Sequence, residues 1–335
     1  MSYGRIKTPR IYVDWINWLI SIGRMSASDI TYSSANALAS GSSVQGMFDG
    51  DPTNIQTIEC NGNNTTIEIE VDTNITTDSY QASNFIAILG HNLKEADAYV
   101  SIKADDSDGW VGVTLTEVAN ATIGDGGTSF TPSNNGWSMV KWDSYPDGGQ
   151  SEKIQILIDD VDNDNYDTNI KIGAIVVGKY YDFPHPPDLK LSRDYQFNNS
   201  ILQSRGGQRY SNLQTDPAKN WVLDKWSISS NTSPTDVPAL GRRSYQLTYS
   251  FMGDTNLLPE DNDFQNLTET NSFYGDVLNK IQGSHIPFIF QTDNTATYTS
   301  ASTPSDIMLA RMFNIKMSQT AVNHWSVSMT IEEEA

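Results

Sequence analysis

Apolar residues fall at every second position in Thr66-Ile67-Glu68-Ile69-Glu70-Val71 and again in Lys153-Ile154-Gln155-Ile156-Leu157-Ile158. That period turns alternate side chains toward a core and toward water, so both runs predict β-strands. Phe85-Ile86-Ala87-Ile88-Leu89 is apolar without interruption and closes on Gly90-His91-Asn92, which reads as a buried strand ending in a polar corner. A further apolar strand is predicted from Ile170 to Val177, ending at Gly178. Between these runs lie Asn61-Gly62-Asn63-Asn64, Asp105-Asp106-Ser107-Asp108-Gly109, Gly124-Asp125-Gly126-Gly127, Pro146-Asp147-Gly148-Gly149 and Asp162-Asn163-Asp164-Asn165. Such residues accept positive φ or hydrogen-bond their own backbone, so they close hairpins and sandwich loops.

Later strands are predicted at Trp221 to Ile228, Ser244 to Phe251, Pro287 to Gln291, Ala310 to Met317 and His324 to Ile331. One stretch has another period. From Phe264 to Gln282 the apolar residues Phe264, Leu267, Phe273, Val277, Leu278 and Ile281 recur at helical spacing, with Ser272 available as a cap. Between the two halves, Tyr180 to Pro187 carries three prolines within four residues, which cannot lie inside a sheet. This segment predicts a stiff extended connector and a boundary near residue 184. The fold expected is therefore all-β with two domains: a sandwich over 1–183, and a β-sandwich or barrel bearing one helix over 184–335. Residues 1–24 form an N-terminal strand or arm. Arg5, Lys7 and Arg10 before the apolar stretch Ile11 to Ile22 mimic a secretory leader, but Asp14 and Asn17 interrupt it, so a strand is the reading preferred.

Composition narrows the functional classes. Lysine and arginine number 21 against 41 aspartate and glutamate, a net charge of −20, which should repel nucleic acid and anionic lipid. Cys60 is the only cysteine, so no intrachain disulfide forms. No other run approaches the roughly 20 apolar residues of a spanning helix. The histidines His91, His185, His285 and His324 lack metal-ligand spacing, and no nucleophile elbow, phosphate loop or dinucleotide fingerprint is present. Carboxylates are so abundant that no single pair can be nominated for glycoside hydrolysis. The acidic run from Asp159 to Asp167 echoes an EF-hand, yet Asn165 stands at the glycine position and Lys171 at the closing glutamate, so it reads as a solvated loop. The turn Asp49 to Asn54 suits a hard cation better, with Asp49 and Asp51 as ligands of a structural calcium; the alternative is a plain turn in which Asp49 caps its own backbone.

For binding, Trp110, Trp137, Trp142 and Tyr145 lie on or beside loops, where aromatics can stack on a sugar or plug into a partner, and His91 and Asn92 mark the nearby corner. Core burial is the preferred reading for the aromatics. For assembly, Arg205, Arg209, Arg242 and Arg243 stand out in an acidic chain. Their guanidinium forks match carboxylates of a neighbouring subunit, or of the same chain.

The Phe48 to Thr53 turn, the Phe85 to Leu93 strand and corner, and the strand Ile170 to Gly178 resemble, in that order, the galactose-binding (discoidin-like) jelly roll. The second half is similar to structural proteins of tailed-phage tails. That likeness rests on Arg205-Gly206-Gly207-Gln208-Arg209-Tyr210, the Trp221 and Tyr245 segments, the helix before His285-Ile286-Pro287-Phe288-Ile289-Phe290, Ala310-Arg311-Met312-Phe313, and Thr330-Ile331-Glu332-Glu333-Glu334. The resemblance implies a distal-tail or baseplate β-domain that forms a ring, with a sugar-binding-like module appended. It implies a virion protein made in the host cytoplasm, without catalysis, whose partners are its own copies, other tail proteins and host glycan. A carbohydrate-binding adhesin is the alternative expectation, and a glycan-degrading enzyme a third.

Overall fold

The computed structural model describes residues 7–60, 66–74, 84–106, 109–143, 153–160, 169–189, 192–196, 199–203, 205, 209–213, 242–258, 270–295 and 307–334. The fold is all-β, built mainly from two antiparallel sheets. The larger has ten strands in the order Ser192–Gln196, Arg242–Gly253, His324–Glu333, Ile307–Ala321, Phe288–Gln291, Arg10–Asp14, Ala174–Asp182, Asn84–His91, Gly136–Trp142 and Thr116–Ala119. The smaller runs Ala121–Ile123, Ser129–Pro132, Ala98–Asp106, Lys153–Asp160, Ile67–Asp72 and Ile30–Ser33, with Gly109–Gly112 paired onto Ala98–Asp106.

The two kinds of apolar run seen in the sequence correspond to the two sheets. In the smaller sheet Ile67, Ile69, Val71, Ile154, Ile156 and Ile158 enter the core while Glu68, Glu70 and Leu157 are only half-buried, so the pattern alternates. In the larger sheet both faces are covered. Ile86 and Ile88 join the main core, and the intervening Phe85, Ala87 and Leu89 join a second cluster on the opposite face. Burial on both sides removes the need for polar alternation and leaves an uninterrupted apolar run.

The N-terminal strand Arg10–Asp14 lies at the middle of the ten-stranded sheet. It pairs with Ala174–Asp182 on one side and with Phe288–Gln291 on the other. One sheet therefore runs through both halves of the chain, across the boundary expected near residue 184. Ile11 and Val13 enter the main core, and Tyr12 enters the opposite cluster between Phe85 and Ile289. The expected strand through Ile22 ends early: Trp15–Ser21 is a helix. Asp14 caps it by accepting from the Asn17 backbone N–H at 3.0 Å, and Trp15, Ile16, Trp18 and Leu19 fall at the spacing of one helical face.

Two further boundaries move. The predicted strand Ile170 to Val177 is broken at Gly173 into Ile170–Ile172 and Ala174–Asp182, and the second piece passes through Gly178. A Cβ on Gly173 would stand 2.1 Å from the Pro52 carbonyl oxygen, and one on Gly178 would stand 2.0 Å from that of Val13, so both contacts exclude a side chain. The helix expected from Phe264 is helical over residues 273–281, a π-helical turn at Tyr274–Leu278 followed by Asn279–Ile281, and Ser272 Oγ accepts from Gly275 N at 3.1 Å as its cap. Phe264, Leu267 and the strand expected at Trp221 to Ile228 lie outside the described residues. In the connector, the Phe183 ring stacks on Tyr249 with centroids 4.6 Å apart, which ties this segment to the second half.

Candidate functional site

The seam between the halves is held by polar contacts as well as by the strand. Arg10 forks onto Asp182 with two hydrogen bonds of 2.7 Å, and its guanidinium lies 4.0 Å from the Tyr180 ring centroid. Tyr12 donates to Gln291 Oε1 at 2.6 Å, and burial pushes its phenol up to about 12. Lys7 pairs with Asp293 at 2.7 Å. Residues 7–14 thus contact both halves continuously.

Next to this strand, a cleft of about 240 Å3 lies where residues of the two halves meet. Trp15, Lys179 to Asp182 and Pro184 line it from one side, and Asn256, Asn271 and Asp276 from the other. Lys179 Nζ lies 5.0 Å from the Trp15 ring centroid, and Lys280 Nζ lies 4.8 Å from it and 3.6 Å from that of Trp18. Tyr181 donates its hydroxyl to the Asn256 carbonyl at 3.3 Å. Asp276 accepts from Thr270 N at 3.0 and 3.1 Å; burial raises its carboxyl, opposed by those bonds and by the Lys280 charge.

The residues expected to present a glycan face are mostly interior. His91 is 3% exposed. Leu93 N–H donates to its Nδ1 at 3.3 Å, which fixes Nε2 as the protonated nitrogen, and Nε2 donates to Ser138 Oγ at 2.9 Å. Ser138 in turn donates to the Asn120 carbonyl at 3.0 Å, and burial holds the imidazole neutral with its pKa down at about 3. Asn92 staples the neighbouring strand, accepting from Lys171 N at 2.7 Å and donating to Asn169 O at 2.9 Å. Trp137 and Trp142 lie on Gly136–Trp142 with their side chains buried, the core fate preferred for them over display to a ligand. Trp110 is half-buried on Gly109–Gly112, and Tyr145 lies outside the described residues.

Asp49 and Asp51 serve their own turn. Asp49 accepts from Asp51 N at 2.8 Å and from the Asn54 amide; Asp51 accepts from Thr53 N and Oγ1 at 2.9 and 2.7 Å. Among the described residues no three His, Cys, Asp or Glu side chains gather as a metal-binding group. The turn itself packs where Gly90 and Gly173 leave room for Pro52 O, so the segments Phe48–Thr53, Phe85–Leu93 and Ile170–Gly178 meet in space. Of the arginines, Arg243 is bidentate to Glu333 at 2.9 and 3.1 Å and donates to Ile307 O at 2.9 Å, an intrachain pair. Arg205 and Arg242 are exposed, and the Arg209 side chain lies outside the described residues.

A second feature is the tip of the hairpin Ile307–Ala321 and His324–Glu333. The first strand is buried through Met312, then alternates, and residues 318–324 are all exposed. Positive φ at Asn323 closes the two-residue turn, and at Asn314 it sits in the bulge between Phe313 and Lys316. Val322 at the turn is 83% exposed, and Phe251 on the adjoining strand, at a bulge between Tyr249 and Met252, is 72% exposed.

The sequence matches no known protein-family model, and no curated protein matches it. No helix among the described residues is long and apolar enough to cross a membrane.

Proposed function

We propose that this chain is a non-catalytic structural protein of a phage tail tip or baseplate, where copies assemble into a ring and meet other tail proteins. The observation that carries this reading is the hairpin tip. An extended β-arm with polar flanks and two exposed apolar side chains, Val322 and Phe251, is suited to pair with or pack on a neighbour. The first half, proposed as a galactose-binding-like jelly roll, is then carried rigidly, because one sheet joins it to the assembling half. This placement suits docking of fibres or contact with host glycan in the virion.

The reading is tested by light scattering on the full-length protein across a concentration series. A closed oligomer of fixed stoichiometry that is lost in Val322→Asp and Phe251→Asp supports it. A monomer at every concentration contradicts self-assembly and favours the carbohydrate-binding adhesin, for which the polar lining of the seam cleft is the supporting observation.

A further inference from the structure

We propose that His185, in the proline connector, is a proton-operated clamp on the bulge that displays Phe251. The clamp stands on its own geometry; its consequence for assembly rests on the reading that Phe251 packs on a neighbour.

Along Arg242–Gly253 the side chains of Tyr245, Leu247 and Tyr249 alternate into the main core, and a period of two would place Phe251 there next. Instead Tyr249 pairs with Val327 and Met252 with Trp325, which leaves this strand one residue longer than its partner. The extra residue gives the core place to Met252 and turns Phe251 outward. Display of Phe251 is therefore a property of the bulge, because a slip of one residue exchanges the two faces of a strand.

The bulge interrupts the ladder at Ser250 and Phe251, and the connector takes over there. Asp188 N donates to Thr248 O at 2.8 Å, and the Asp188 carboxylate accepts from Ser250 N at 3.2 Å and from Ser250 Oγ. The half-buried His185 ring sets Nε2 3.3 Å from Phe251 O and Nδ1 2.8 Å from Pro186 O. Both partners are carbonyl oxygens, which only accept, so both hydrogen bonds exist together only in the imidazolium. In the neutral ring the shorter bond to Pro186 keeps its proton, and Nε2 turns a lone pair toward Phe251 O. A charge-assisted bond thereby becomes a repulsive contact, in a side chain that changes charge near neutral pH.

The titratable groups around the ring are few. Tyr249 lies 5.6 Å away between ring centroids, its phenol raised by burial and therefore neutral, and Asp188 on the connector is held by Ser250. Past the bulge, Asp254 accepts from the Trp325 indole and His324 pairs with Gly253. Asp188 keeps its bonds to Ser250 in both states of His185, so release is confined to Phe251.

The full-length protein is studied from pH 5 to 8 by 15N NMR of the histidine rings and by amide hydrogen exchange, beside His185→Gln, which retains an amide donor and cannot titrate. At about pH 5.5 exchange at Phe251 and Met252 should be about tenfold slower in the parent than in the variant, and near pH 8 the two should agree within about twofold. In the parent, Nε2 should be the ring nitrogen that loses its proton as pH rises, a result that decides the matter if His185→Gln does not fold. Light scattering should show stronger self-association of the parent at acid pH, a dependence weakened in the variant. The clamp is overturned if the neutral His185 ring carries its proton on Nε2, or if the exchange ratio is the same at both pH values. A monomer at every pH, with the exchange ratio still changing, would instead overturn the assembly reading and leave the clamp standing.

Discussion

The seam strand and the hairpin tip are both β-structure at the join of one sheet with its surroundings, yet they differ in every physical respect. Arg10–Asp14 is buried along its whole length, hydrogen-bonded on both edges and packed on both faces. The tip at residues 318–324 is exposed along its whole length; residues 318–321 pair only within the hairpin, while Asn323 and His324 meet Asp254 and Gly253 next to it. The strand Arg10–Asp14 should therefore carry folding energy, and the tip association with a neighbour.

The sharpest way to break this contrast is at Tyr12, which is fully buried and bonds Gln291 across the seam. Tyr12→Ala should cost about 3–5 kcal/mol in urea unfolding. A loss under 1 kcal/mol would mean that the strand is an accessory.

The pH dependence offers a second test, because Asp14 and His91 work against each other. Burial raises Asp14 from 3.8 to about 6, so the folded state retains a proton that the unfolded state has lost, and stability falls as pH rises through that window. Burial lowers His91 from 6.5 to about 3, so the unfolded state binds the proton first, and stability is lost as pH falls through that window. The opposite slopes offset one another between about pH 4 and 6. Asp14→Asn keeps a capping side chain and removes one slope, so urea midpoints should fall more steeply on acidification than in the parent, by roughly 3 kcal/mol over the window. Unchanged steepness would show that Asp14 is not held in its protonated form.

Gly178→Ala places a Cβ against the Val13 carbonyl and should cost about 1–3 kcal/mol, measured by denaturant midpoint. Tyr249→Phe removes a buried hydroxyl that has no hydrogen-bond partner among the described residues, and should be neutral or stabilising by under about 1 kcal/mol. Smallest of all is the effect of Val322→Asp on folding, within about 0.5 kcal/mol, although it should abolish self-association. A large stability loss there would erase the distinction between tip and seam.

How far the sequence reveals this structure follows from the same contrast. Ile67 to Val71 and Ile154 to Ile158 are legible as strands because one face meets water and enforces alternation. Ile11 to Ile22 is not legible as a whole, since an uninterrupted apolar run fits a buried strand or a buried helix equally. The signal that separates them is present in Asp14 as a cap and in the spacing of Trp15, Ile16, Trp18 and Leu19. Trp137 and Trp142 sit near turn-rich sequence, yet large aromatics are more often core than surface, and both side chains are buried on the strand Gly136–Trp142. The seam cleft could not be read at all, because its walls come from residues 15, 179–184, 256 and 271–276, which only the folded sheet brings together.

If residues 10–14 make the two halves one cooperative unit, differential scanning calorimetry of the full-length protein will show it. The expected result is one transition whose calorimetric and van't Hoff enthalpies agree, shifted as a whole by Tyr12→Ala. Two separate transitions, with only one of them moved by that substitution, would contradict it.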